Sequence, residues 1–131
     1  MGAKGGVNYK NDGWEQTLKN LSGGFDLIID TAAGKGFEKL LDLAKPGGKI
    51  VIFGATAGPI PQFLPQRIYL KQLNISGTSM GSPKDFDNML KLVNDKKITP
   101  VIDKVFPLEK AEKAIRIMDE ASQFGKIVLS I

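Results

Sequence analysis

Phe25-Asp26-Leu27-Ile28-Ile29-Asp30, running into Thr31-Ala32-Ala33-Gly34, is the stretch on which the fold turns. Leu27, Ile28 and Ile29 are consecutive, so both faces of an extended segment here are apolar. A strand with one wet face alternates apolar and polar residues; a continuous run suits a sheet covered on both sides, as in parallel α/β folds. Ile50-Val51-Ile52-Phe53, ending at Gly54, repeats the pattern, and Leu73-Asn74-Ile75-Ser76-Gly77 is a weaker third strand. Val101 to Phe106 and Lys126 to Ile131 read as two more.

Helical periodicity fills the gaps. Phe37, Leu40, Leu41 and Ala44 recur at i, i+3, i+4 and i+7, and Pro46-Gly47-Gly48 is expected to stop that helix. Trp14, Leu18 and Leu21 form a stripe, with Asp12 as the expected N-cap and Glu15 three residues on. Ser82-Pro83-Lys84-Asp85 opens a further helix with cap, proline and acid in order, and Phe86, Met89, Leu90 and Val93 follow as its apolar stripe. Leu108, Ala111, Ile115 and Met118 give the last. Strands alternating with helices predict an α/β fold with a mainly parallel sheet and right-handed crossovers.

Composition narrows the chemistry. The 131 residues include 42% hydrophobic and 24% charged residues, which is ordinary for a globular domain. No apolar run is long enough to cross a bilayer. The residues after Met1 lack the apolar stretch of a secretory leader, so the expected location is cytoplasmic, with no membrane partner. The net charge is +4, but the lysines are scattered among acids, which predicts a solvated surface and no nucleic-acid partner. His and Cys are both absent. A thiolate or imidazole zinc site, a Ser–His–Asp triad and a cysteine nucleophile are therefore excluded from this chain.

In an open parallel sheet, ligands bind beyond the carboxyl ends of the strands. Those ends here are Thr31-Ala32-Ala33-Gly34, Gly54-Ala55-Thr56-Ala57-Gly58 and Thr78-Ser79-Met80-Gly81-Ser82. Small residues let main chain approach a ligand closely, though they also simply suit strand-to-helix turns. Gly34-Lys35-Gly36 begins like a G-x-G-x-x-G fingerprint, but Lys39 stands at its third position. No Walker sequence occurs. The residues alone describe an α/β ligand cleft without a phosphate cradle.

Several segments resemble, in order, landmarks of the medium-chain dehydrogenase/reductase family, the zinc-type alcohol dehydrogenases and quinone oxidoreductases. They are Gly6-Val7-Asn8-Tyr9-Lys10, Phe25 to Thr31, Leu43-Ala44-Lys45-Pro46-Gly47-Gly48-Lys49-Ile50-Val51 and Phe53-Gly54. Gly77 to Ser82, Pro100 to Leu108 and Phe124 to Leu129 complete the series. The resemblance implies an incomplete Rossmann-type three-layer fold. Residues 1–97 would be the second half of the cofactor-binding domain, and 98–131 a strand-helix-strand segment returning toward the catalytic domain. It implies NADP or NAD as cofactor, with Phe53, Gly54, Thr78, Ser79 and Met80 near the nicotinamide and Asp30, Thr31 and Ala32 bordering the adjacent ribose. Tyr9 would lie toward the adenosine phosphate end. Lys126 would reach the pyrophosphate, or else is a solvated lysine beside an edge strand. No catalytic residue and no zinc ligand is assigned.

The same resemblance makes this chain the strands 4, 5 and 6 of a 3-2-1-4-5-6 sheet. The strand at 25–30 then becomes an open edge, and the strand at 73–77 is the other edge, which in this family pairs with its twin across a two-fold axis. Two open edges predict a homo-oligomer. The expectation is a cofactor-domain part of a reductase, inactive by itself; the rival reading is a non-catalytic α/β self-association module.

Overall fold

The structure, a computed structural model, describes residues 2–131. Its elements in chain order are α1 (Trp14–Ser22), β1 (Phe25–Asp30), α2 (Phe37–Leu43) and β2 (Ala44–Ile52). Then come α3 (Gln66–Tyr69), β3 (Asn74–Gly77), α4 (Pro83–Lys96), β4 (Ile102–Pro107), α5 (Ala111–Asp119) and β5 (Lys126–Ser130). The chain divides into two compact units, one ending at Met80 and the other spanning Gly81–Ile131. Helix α4 falls in the second unit.

In the first unit β1, β2 and β3 pair in that order, all parallel. Parallel neighbours need a crossover, and α2 and α3 lie on the two connections. One side of this sheet carries the core: Phe37, Leu41, Ala44, Ile50 and Leu73 are buried, with Ile28, Ile52, Phe63 and Ile75 packed against them. Phe37 and Phe63 meet at a ring separation of 6.1 Å. Each fully buried side chain of this size contributes about 1.5–3 kcal/mol relative to exposure, so this cluster holds the unit together. On β1, Leu27 and Ile29 remain more than half exposed. The run that reads as covered on both faces is therefore covered on one among the described residues.

Two local expectations are corrected. Asp12 does not cap α1: the cap is Gly13, at φ 68°, with no side-chain hydrogen bond, and Glu15 instead reaches Lys39 on α2 at 3.0 Å. Pro46-Gly47-Gly48 does not follow a helix into a loop. Strand β2 already begins at Ala44, and between the pairs Phe25↔Ala44 and Leu27↔Lys49 it takes up the extra residues as a bulge. Gly47 sits at φ 74°, and a Cβ on buried Gly48 would come within 2.8 Å of the Lys45 carbonyl oxygen. Glycine is what lets this bulge close.

The second unit pairs β4 with β5, parallel, through α5. Its α4 starts as the sequence predicts. Ser82 Oγ accepts from the Asp85 backbone N–H at 3.3 Å, while the Asp85 carboxylate accepts from the Ser82 N–H at 2.8 Å. No helix among the described residues is long and apolar enough to cross a membrane.

Candidate functional site

The carboxyl ends of β1, β2 and β3 lie side by side because the three strands are parallel and in register, with Asp30 beside Ile52 and Ile52 beside Gly77. Pairing does not stop where the strands stop. Phe53 N–H donates to Asp30 O at 3.1 Å, Ala57 N–H to Ala32 O at 2.8 Å, and Gly34 N–H to Gly58 O at 3.0 Å. Thr78 N–H donates to Ile52 O at 3.0 Å on the other side. The turns that read as merely small and pliant are thus stitched to one another. Their close approach explains two glycines. A Cβ on Gly54 would stand 2.5 Å from Thr31 O, and one on Gly34, itself at φ 63°, would stand 2.6 Å from Ala57 O.

Asp30 is the one buried charged residue among those described. Its two carboxylate oxygens accept from the N–H groups of Ala32 and Ala33, each at 3.0 Å. Burying a carboxylate without partners is costly, and these two hydrogen bonds satisfy it. The following residue, Ala33, takes φ 55° and ψ −130°, a backbone region that residues other than glycine avoid.

Around this stitched floor the remaining candidates present themselves to solvent. Thr31 is exposed, Ala32 and Gly54 are half-buried, and Phe53, Thr78 and Ser79 are exposed. Met80, at φ 57°, is 96% exposed. The structure therefore brings together Asp30, Thr31, Ala32, Phe53 and Gly54, with Thr78, Ser79 and Met80 following the adjacent strand. Tyr9 sits in an exposed turn before α1, and Lys126 opens β5 in the second unit. Ala33, Gly34, Ala57 and Gly58, which complete the floor, carry no polar side chain that could single them out in the sequence. Only their glycine spacing hints at them.

Fit to cofactor and metal can be tested on these residues. Exposed main chain and small side chains at three adjacent strand ends suit the flat end of a dinucleotide. The G-x-G-x-x-G fingerprint, whose helix N-terminus would take the phosphates, does not occur in the 131 residues. Zinc does not fit. The chain has no His or Cys, and among the described residues no cluster of acidic groups could hold an ion. A hollow of about 440 Å³ does exist, but it lies against α1, lined by Lys4, Leu18, Leu21 and Phe25, away from the strand ends.

Comparison with known proteins identifies the family and the fold. Residues 1–129 match a family model described as zinc-binding dehydrogenase. A zinc-type alcohol dehydrogenase-like protein, YogA of Leptosphaeria maculans, is 36% identical over 141 residues, matching all of this chain and 39% of its own length. An acryloyl-coenzyme A reductase of Sulfurisphaera tokodaii is 31% identical over 108 residues, covering 82% of this chain and 32% of its own. Among solved structures, an NAD-dependent alcohol dehydrogenase superposes with a TM-score of 0.89 at 32% identity, over 99% of this chain and 38% of the other. The chain spans about 40% of the length of curated relatives that it matches over essentially its whole extent.

Proposed function

Since this chain belongs to the zinc-type alcohol dehydrogenase and quinone oxidoreductase family, we propose that it supplies the nicotinamide-side floor of an NAD(P)H site. By itself it completes no hydride transfer. The observation that carries this reading is the side-by-side placement of the three strand ends, with Thr31, Phe53, Thr78 and Ser79 presented to solvent above a stitched main chain. In a site of this kind the cofactor carries the hydride and the protein orients it. Relatives named as an NAD-dependent alcohol dehydrogenase and an acryloyl-coenzyme A reductase support a carbonyl or an activated double bond as hydride acceptor. Asp30, Thr31 and Ala32 would border the ribose, and Phe53, Gly54, Thr78, Ser79 and Met80 the nicotinamide. Tyr9 would lie toward the adenosine phosphate end.

No residue of this chain is assigned as an acid or base toward a substrate. Without a phosphate cradle, NADPH should bind only weakly, with Kd on the order of a millimolar or more. Isothermal calorimetry with NADPH and NADH tests this; sub-micromolar binding would overturn the need for a phosphate-binding partner segment.

The open edges favour a second property, self-association. Strands β1 and β3 each have one unpaired side in a three-stranded sheet, and Leu27 and Ile29 lie exposed on β1. An apolar groove of about 230 Å³, lined by Leu18, Phe25, Leu27, Ile28, Leu40 and Leu43, runs along that same edge. Edges of this kind template pairing with another chain. We expect a homodimer or larger assembly. A stable monomer at tens of micromolar in sedimentation velocity would remove this property and, with it, the reading of the chain as a self-association module.

A further inference from the structure

We propose that Asp30 is the positioning residue of the floor: its carboxylate sets the 31–34 turn, and that turn sets the 54–58 loop. The proposal rests on the cofactor reading above only for what the floor would hold; the positioning itself is a property of the protein.

The chain of contacts is continuous. The carboxylate takes the Ala32 and Ala33 N–H groups. It thereby holds Ala33 at φ 55° and ψ −130°, where an alanine does not stay unaided. That conformation aims Ala32 O at Ala57 N–H and Gly34 N–H at Gly58 O, the two bonds that fasten the loop after β2. Gly34 and Gly54 lack the Cβ that would push the two segments apart. Asp30 also fills its acceptors with its own turn, so the donors it consumes are withdrawn from any ligand. Its role toward a ribose or a nicotinamide is therefore indirect: it fixes where Thr31 and Gly54 stand.

An amide that replaces the carboxylate keeps one acceptor and sets an NH2 group against an N–H donor. Asp30→Asn should therefore release the turn. Glycine at position 33 adopts the observed φ and ψ without strain. Asp30→Asn with Ala33→Gly should accordingly restore the loop, a rescue that a general loss of stability would not show.

The test is amide hydrogen exchange by NMR on the full chain. In Asp30→Asn, the Ala57 and Gly34 amides should exchange at least about 10-fold faster while the ladder amides of β2 and β3 change by less than about 2-fold. The double variant should return Ala57 to within about 3-fold of the unsubstituted chain. Equal acceleration of all amides would reduce Asp30 to a stability residue, and an unchanged Ala57 would remove the proposal altogether. If Asp30→Asn does not fold, Asp30→Ser, whose hydroxyl still accepts one N–H, should speed Ala57 by a smaller factor, about 3-fold. Titration of the unsubstituted chain with NADPH to tens of millimolar, well above the Kd of about a millimolar expected for the floor alone, is read separately, as amide shifts at Gly54, Ala55 and Ser79. If no shift appears there, the cofactor reading fails, while the exchange data still decide whether Asp30 governs the loops.

Discussion

Around β1, β2 and β3, the side chains of Phe37, Leu41 and Ile50 are almost completely sealed from solvent. Around β4 and β5, the buried hydrophobic residue among those described is Ala114. Both units are built the same way, from parallel strands joined by helices with clean apolar stripes. In the first, the stripe of α2 meets a sheet face and becomes a core. In the second, Phe86, Met89 and Leu90 on α4, and Ile115 and Met118 on α5, stay largely exposed. Periodicity specifies which face of a helix is apolar; whether that face contributes stability depends on what stands opposite it.

The sharpest way to break this contrast is to delete equivalent side chains. Leu41→Ala in the first unit should cost about 2–5 kcal/mol, through lost burial and an unfilled cavity. Met118→Ala in the second, at 57% exposure, should cost less than about 1 kcal/mol. Urea unfolding followed by fluorescence of Trp14, in the first unit, and by amide NMR in both units, measures the two losses. Equal losses would mean that the second unit has a core of its own.

Cationic side chains should show the same ordering on a smaller scale. In the first unit Lys71 Nζ donates to the carbonyls of Leu41, Asp42 and Ala44, at 2.8, 3.0 and 2.9 Å. These are among the unpaired acceptors at the end of α2, where a cation also meets the negative end of the helix dipole. Lys71→Met, which keeps the stem but not the donors, should lose about 1–2 kcal/mol. In the second unit Arg116 pairs with Glu112 one turn away on α5, both side chains more than 70% exposed. Arg116→Ala should change stability by no more than about 0.5 kcal/mol. If the two substitutions cost the same in thermal melts, the half-buried position of Lys71 confers nothing.

What the sequence discloses follows a similar line between local and distant causes. The run from Phe25 to Asp30 is legible as a strand because its signal is contained in six residues, and the Ser82-to-Asp85 cap because both partners lie within one turn. The start of β2 at Ala44 is not legible, since nothing near Pro46 says that Phe25 will pair there and leave a bulge for Gly47 and Gly48. Asp12 looks like a cap locally, yet Glu15 is drawn to Lys39, 24 positions away, and Gly13 turns the chain instead. At the site, family resemblance points to the strand ends, but the fastening of Ala57 to Ala32 and of Gly34 to Gly58 depends on two turns meeting. Asp30 itself reads in sequence as a polar strand terminus beside a ribose. Its burial against its own turn is visible only in three dimensions.

The smallest expected difference separates the two units by acid and salt. Glu15 in the first unit is held below the usual carboxylate range by its own backbone N–H and then by the Lys39 ammonium. Asp85 in the second is held down by the Ser82 hydroxyl and then the Ser82 N–H. Both carboxylates bind protons less readily folded than unfolded, so their support is complete above the ordinary carboxylate pKa of about 4 and disappears as pH falls through the lower folded values. On acidification through that window, the first turns of α1 and α4 should both fray, seen as faster exchange of the Thr17 and Phe86 amides. Salt should tell them apart. The Glu15–Lys39 pair is a charge–charge contact near the surface and weakens as the Debye length shortens from about 10 Å at 0.1 M to about 3 Å at 1 M. The Asp85 cap is made of hydrogen bonds within one turn and should keep its titration in 1 M salt. Ser82→Ala should abolish the acid-induced fraying at Phe86 while leaving that at Thr17 unchanged. A Phe86 titration that survives Ser82→Ala would show that α4 does not depend on its cap, and the contrast between a unit tied across elements and a unit tied within single turns would have to be withdrawn.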